Sequence, residues 1–186
     1  MRKIVCLTAS PTVNGNGAAL IESAAKVIKE YGGDVQCVEL REKEIRTCKA
    51  CYGCRKTGVC VQKDDFIEIL QMIHEADGII AAVPVYYNCM AAQAMVFINR
   101  FCCTFAYPGY IVGPRKKIGM FLTCTGSEPS EMEHHVGNIL TLPSLSRGIE
   151  AFKTEVFTDC IDKDTCRNSD EYLMRARESA AWVIEK

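Results

Sequence analysis

Apolar residues fall into short runs separated by longer stretches in which they recur every three or four positions, and that alternation organises the chain. Ile4 to Ala9 is a nearly continuous apolar run ended by Ser10-Pro11, the pattern of a strand buried on both faces. Asn14-Gly15-Asn16-Gly17 then breaks the chain, and Leu20, Ile21, Ala24, Val27 and Ile28 recur at helical spacing until Gly32-Gly33 stops them. Val35 to Leu40 predicts a second strand, and Gly78 to Val83, closed by Pro84, a third. Between them Asp64 and Asp65 cap a predicted helix whose apolar positions are Phe66, Ile69, Leu70 and Ile73. The remaining pattern gives a helix from Met90 to about Phe101, a loop from Phe105 to Lys117 and a fourth strand from Ile118 to Thr123. A helix from Glu131 to Leu142, a fifth strand from Phe152 to Phe157 and an amphipathic helix from Asp170 to Ile184 complete it.

Strands that alternate with helices predict an α/β fold, a parallel sheet covered on both faces. Five of them fit the flavodoxin-like doubly wound sheet of order 2-1-3-4-5. In that topology ligands lie beyond the carboxyl ends of the strands, here loops 10 to 17, 84 to 90 and 123 to 128.

Composition narrows the class. A chain of 186 residues, 48% hydrophobic, suffices for one well-buried core, so residues 1 to 186 read as a single domain. Twenty-two basic residues against twenty-three acidic ones leave no overall field to recruit nucleic acid or an anionic membrane, which points to small-molecule partners. The apolar run near the N-terminus is too short for a signal peptide, and no stretch approaches the length of a membrane span. The expectation is a cytoplasmic protein with reduced cysteines.

That expectation makes the cysteines informative. Of twelve, four stand together as Cys48-Lys-Ala-Cys51-Tyr-Gly-Cys54-Arg-Lys-Thr-Gly-Val-Cys60, within a cysteine-rich loop at 47–63. Cys-x2-Cys turns point their sulfurs the same way, so the run can bring several thiolates onto one inorganic centre. A cluster, zinc and a metal-free loop all stay open on the spacing, although zinc favours two separated knuckles over successive steps. Cys6, Cys37 and Cys124 fall in or beside strands as small core residues. Cys160 and Cys166 flank a charged turn and pair if their geometry brings them together.

The turn after the first strand carries the second chemical signal. Helix N-terminal amides, short polar side chains and two glycines in Ser10 to Gly17 suit a phosphate, although the loop is neither the Rossmann nor the Walker pattern. An ordinary strand-to-helix turn is the plain alternative.

Taken in order, three segments resemble the NADPH-dependent FMN reductase family of flavodoxin-like proteins. The first is Ser10-Pro11-Thr12-Val13-Asn14-Gly15-Asn16-Gly17, where Thr12 replaces the family's arginine and Gly17 its threonine. The second is Ala76-Asp77-Gly78-Ile79-Ile80 followed by Pro84-Val85-Tyr86-Tyr87-Asn88-Cys89-Met90, and the third is Thr123-Cys124-Thr125-Gly126-Ser127. Downstream of the second, Met95 and Asn99-Arg100 stand where the family often has a lysine and an Asp-Arg pair.

The resemblance implies FMN held at its phosphate by Ser10, Thr12, Asn14, Gly15, Asn16 and Gly17. It implies ring contacts from Pro84, Val85, Tyr86, Tyr87 and Asn88 on one side and from Thr123 and Gly126 on the other. Tyr87 also reads as an ordinary half-buried aromatic. The donor implied is NAD(P)H, the acceptor a quinone, flavin, aromatic or protein, and the assembly a homodimer or homotetramer. Because the flavin does the chemistry, no catalytic side chain is named.

Within the family, iron-sulfur flavoproteins carry a compact cysteine run between the second strand and second helix, which Cys48, Cys51, Cys54 and Cys60 match. The resemblance implies a [4Fe-4S] cluster there, exchanging electrons with FMN. Two alternatives accompany this reading: an electron carrier without direct NAD(P)H turnover, and a metal-binding or redox-sensing module without flavin.

Overall fold

A computed structural model describes residues 1–105, 115–126, 128–136 and 149–185. The chain runs β1 (Lys3–Thr8), α1 (Asn16–Glu30), β2 (Asp34–Glu39), a 3-10 turn (Leu40–Glu42), α2 (Cys54–Thr57), α3 (Phe66–Glu75) and β3 (Gly78–Tyr86). It continues through β4 (Cys89–Met90), α4 (Ala92–Arg100), α5 (Cys102–Phe105), β5 (Lys116–Thr123), α6 (Pro129–His135), β6 (Ile149–Phe157) and α7 (Asp170–Ile184). The sheet order is β2-β1-β3-β5-β6, with every pair along it parallel. Setting aside the two-residue β4, which pairs antiparallel with β3, this is the doubly wound order expected from the alternation of elements.

Side chains alternate across the sheet. Ile4, Cys6, Ile80, Phe121 and Phe157 face a core built with α1 and α7, whereas Val5, Leu7, Ile79, Met120 and Leu122 face one built with α3, α4 and α6. Central strands buried on both faces explain why they read as continuous apolar runs. α7 occupies the expected residues because Ser169 caps it, its hydroxyl accepting from the Tyr172 amide at 3.2 Å, and because Ala176, Ala180 and Val183 form one buried stripe.

Four local expectations are corrected. β3 does not close before Pro84 but continues through it to Tyr86. β1 ends opposite Ala82, so that edge of β3 asks for no N–H at position 84, and the Pro84 carbonyl accepts from the Ala91 amide at 2.9 Å. That bond belongs to the tight return through β4, so α4 starts at Ala92 instead of Met90. At α3, neither aspartate serves as a simple cap. Asp65 occupies the N-cap position yet accepts from the Glu44 amide, while Asp64 faces Arg100 and keeps one 3.3 Å contact with the Phe66 amide. Cys37, expected in the core, is exposed because β2 forms the sheet edge. The expected loop at 105–117 and the end of the expected helix near 142 lie largely outside the described residues. Among the described residues no helix is long and apolar enough to cross a membrane.

Candidate functional site

At the carboxyl ends of β1, β3, β5 and β6 the connecting segments enclose a cleft of about 350 Å³, within the range of small-molecule and cofactor pockets. Of the residues singled out in the sequence, Ser10, Thr12, Gly15, Asn16, Gly17, Pro84, Val85, Tyr86 and Thr123 line it. Asn14, Tyr87, Asn88 and Gly126 do not. Asn14 turns the first loop in the left-handed region (φ 52°), and Gly126 does the same after β5 (φ 65°), where a side chain would strain the backbone. Tyr87 and Asn88, with φ of 51° and 56°, are the central pair of a two-residue turn between β3 and β4, the geometry of type I′. That placement corrects the half-buried reading of Tyr87, which stands fully exposed at the hairpin tip.

The phosphate-side wall is the start of α1. Gly15 at its N-cap supplies no side chain to occupy the first N–H groups, and the first turn carries no acidic residue, so the positive end of the helix faces the cleft. Ser10 is buried at the base of this wall, its hydroxyl accepting from the Thr12 amide at 3.1 Å. The helix start lies close over β3, since a Cβ on Gly17 would stand 3.2 Å from that of Ala82. A backbone cradle of uncapped amides beside a hydroxyl suits a bound phosphate, and the half-exposed Tyr86 offers a flat apolar face beside it.

A fourth wall was not foreseen. Cys160, Ile161, Asp162 and Lys163 form it, while Cys124 and Thr125, from the expected loop 123–128, line the cleft beside Thr123. Asn16 holds this turn from both sides: its Nδ2 donates to the Asp162 carbonyl at 2.8 Å, and its Oδ1 accepts from the Cys166 amide at 2.8 Å. The Sγ atoms of Cys160 and Cys166 lie 3.6 Å apart. The rule that ligands gather beyond strand ends applies equally to the last strand, and would have found these residues.

The cysteine run lies outside this cleft, on a segment between the 3-10 turn and α3. Its neck is two strands of backbone held together: Asp65 N donates to Glu44 O at 3.1 Å, Arg46 N to Asp64 Oδ2 at 3.1 Å, and Gln62 Nε2 to Thr47 O at 3.1 Å. Arg100 of α4 is the centre of the neck. Its side chain is 1% exposed and that of Asp64 0%, and the two form paired hydrogen bonds of 2.6 and 3.1 Å. Arg100 also donates to the Arg46 carbonyl at 2.8 Å and to Cys60 Sγ at 3.1 Å, and its guanidinium lies 4.6 Å from the centre of the Phe66 ring. Burial alone would raise the Asp64 carboxyl, but the hydrogen bonds and charge of Arg100 outweigh it and hold the group below the usual carboxylate range. This partnership was not legible from Asn99-Arg100 as a motif.

At the head of the segment, Cys48 and Cys51 are exposed, whereas Cys54 and Cys60 pack against the core. Cys54 is raised by burial, then by the neighbouring thiols Cys60, Cys51 and Cys48. The four therefore share one electrostatic neighbourhood, yet among the described residues no group of three or more His, Cys, Asp or Glu stands close enough to hold a metal ion. Cys103 of α5 lies beside them, its thiol pushed up to about 11 by burial and then by Cys60 and Cys54.

Comparisons with known proteins bear on the family and the fold. The family described as NADPH-dependent FMN reductase matches residues 2–148. An iron-sulfur flavoprotein of Archaeoglobus fulgidus is 37% identical over 98 residues, 53% of this chain and 44% of its own length. Another from the same organism is 32% identical over 138 residues, covering 74% of this chain and 69% of its own. The chain spans about half the length of the first of the curated relatives it matches. Among solved structures, an NAD(P)H:quinone oxidoreductase from Methanothermobacter marburgensis superposes with a TM-score of 0.79 at 17% identity, covering 99% of this chain and 96% of that one, a likeness of fold. The chain belongs to the NADPH-dependent FMN reductase family, within the group whose curated relatives are iron-sulfur flavoproteins.

Proposed function

We propose that the cleft binds FMN and that the protein is an oxidoreductase taking electrons from NAD(P)H for a quinone, flavin, aromatic or protein acceptor. The observation that carries this reading is the convergence of loops 10–17, 84–86 and 123–125 on one cleft, with the uncapped start of α1 as its phosphate-side wall. The α1 amides and Ser10 bind the phosphate. Val85, Tyr86 and Thr123 bracket the ring, and Tyr86 excludes water from one side with its apolar face. Bound FMN supplies the one- and two-electron chemistry; the protein supplies binding, orientation and charge. The exposed hairpin tip at Tyr87 and Asn88 borders the approach for donor and acceptor, and a homo-oligomer formed over it would complete that approach.

Cys48, Cys51, Cys54 and Cys60 are the proposed ligands of a [4Fe-4S] cluster. The donor chemistry fits, since four thiols suit iron-sulfur centres. Ala50 and Tyr52, between the proposed ligands, adopt positive φ of 48° and 56°, strain of the kind that gathers at ligand-holding segments. The names of the curated relatives favour the same reading.

Anaerobic purification followed by FMN titration, NADPH addition, and iron and sulfide counts tests both proposals. One FMN per chain that bleaches with NADPH, together with near-equal iron and sulfide, is the expected result. FMN binding without bleaching favours the electron carrier, whereas no FMN uptake overturns the cleft assignment. Zinc, or no metal, at the cysteines overturns the cluster and leaves the flavin reading standing.

A further inference from the structure

A second redox-capable pair lies away from the cysteine run. Cys160 lines the cleft, while Cys166 is fully buried behind it at 0% exposure, and their Sγ atoms are 3.6 Å apart. The turn between them is fixed by bonds that do not involve sulfur. Asn16 grips it at Asp162 and Cys166, the Thr165 hydroxyl donates to Asp162 O at 3.0 Å, and the Cys160 amide donates to Cys124 O at 3.0 Å. Closing a covalent bond of about 2.05 Å asks the two sulfurs to approach by roughly 1.5 Å.

We propose that Cys160 and Cys166 form a thiol–disulfide exchange site that opens on the cleft and reacts with a small peptide disulfide of the glutathione class. Cys160 is the entering thiol, because it faces the cleft, and the wall beside it carries both Lys163 and Asp162, which suits the ammonium and carboxylate groups of a small zwitterionic peptide. Cys166 is the resolving thiol, because its burial shields it from direct attack.

The protonation balance agrees with these roles. The hydrogen bond from Cys166 lowers the Cys160 thiol against the burial that opposes it. That same contact, and then burial, raise Cys166. The more readily ionised sulfur is therefore the accessible one.

The exchange proceeds in two balanced steps. Cys160 thiolate attacks one sulfur of the small disulfide, forming a mixed disulfide and releasing one thiolate. The Cys166 sulfur then attacks the Cys160 sulfur, giving up its proton, and the second small thiol leaves. Two protein thiols are oxidised to one disulfide, one small disulfide is reduced to two thiols, and excess small thiol reverses the sequence.

The test uses the purified protein, with and without added FMN, in glutathione buffers stepped from reducing to oxidising, followed by acid quench, alkylation and peptide mapping. The expected result is a 160–166 linkage, seen as the loss of two hydrogens, that forms and reverses with the buffer. The C166S and C166A variants are expected to trap glutathione on Cys160 at least severalfold above the level in wild type, and C160S to leave Cys166 reduced. Free Cys160 and Cys166 in wild type, under buffers that already modify exposed Cys37 and Cys89, would overturn the proposal. So would the absence of an adduct on Cys160 in both Cys166 variants. FMN and the small disulfide share the cleft, so added FMN is expected to slow the exchange; the readout is covalent and is made first on flavin-free protein, so its failure is distinct from failure of the FMN assignment.

Discussion

Around the cleft, each wall continues from a strand that is hydrogen-bonded into the sheet, and the first loop is tied by Asn16 to the turn after β6. Between residues 43 and 63 the chain instead leaves the sheet, and the cysteine head is attached through a neck centred on one buried arginine and one buried aspartate. The cleft thus inherits its rigidity from the fold. The cysteine segment depends on a few polar contacts that the fold does not otherwise require. The two regions are accordingly expected to fail separately, which mutations at their respective supports can test.

The largest effect is expected at the neck. Asp64→Ala leaves Arg100 charged and buried without its partner, and breaking such a pair costs about 3–5 kcal/mol. The expected outcome is a lowered urea midpoint and faster alkylation of Cys48 to Cys60, with FMN affinity changed less than about twofold. A wild-type midpoint would show that the pair does not support the neck; a large loss of FMN affinity in folded protein would break the separation of the two regions. The same pair fixes a pH dependence. The folded Asp64 carboxyl is depressed below its unfolded value of about 3.9, so its contribution is fully present above that pH and is lost as pH falls through the lower folded value. Asp64→Asn is therefore expected to flatten the acid limb of the stability curve below about pH 4.

A smaller effect, confined to the cleft, is expected from Asn16→Ala. The substitution removes both bonds between α1 and the 160–166 turn, each worth about 0.5–1.5 kcal/mol, and so predicts roughly a tenfold loss of FMN affinity by fluorescence titration. Alkylation of Cys48 to Cys60 is expected to match wild type. Unchanged FMN affinity would mean that the fourth wall does not support the cofactor.

The contrast also explains what the sequence made legible. Strand order and the three cleft loops follow from periodicities of two and 3.6 and from one topological rule, all properties of local sequence. Arg100 and Asp64 are 36 residues apart, and the arginine lies among Phe97 and Phe101 in an otherwise apolar stripe of α4, where periodicity registers only an interruption. The continuation of β3 through Pro84 was hidden because it depends on where the neighbouring strand stops. The turn at 160–163 has neither glycines nor a phosphate-like pattern, so only its position after the last strand marks it for the cleft, while the bond that holds it there spans the 146 residues between Asn16 and Asp162.

Strain is shared by both regions but differs in what it accompanies. In the cysteine segment, Ala50 and Tyr52 carry positive φ between residues proposed to hold a cluster; at the cleft, Tyr87 carries it at a hairpin tip with no packing to maintain it. A non-glycine residue in the left-handed region costs about 1–2 kcal/mol, and asparagine tolerates the conformation better than tyrosine. Tyr87→Asn is therefore expected to raise stability by about 0.5–1 kcal/mol, read as a small rise in urea midpoint, because the fully exposed ring takes no buried contact with it. If stability rises and FMN affinity holds, the strain is a consequence of a short turn alone. If stability rises while FMN affinity falls, the tyrosine contacts the ring or a molecule approaching it, and the strain at the cleft has a functional counterpart like that proposed for the cysteines. An unchanged or lowered midpoint would show that Tyr87 is not strained at the tip, and the parallel between the two regions would fail.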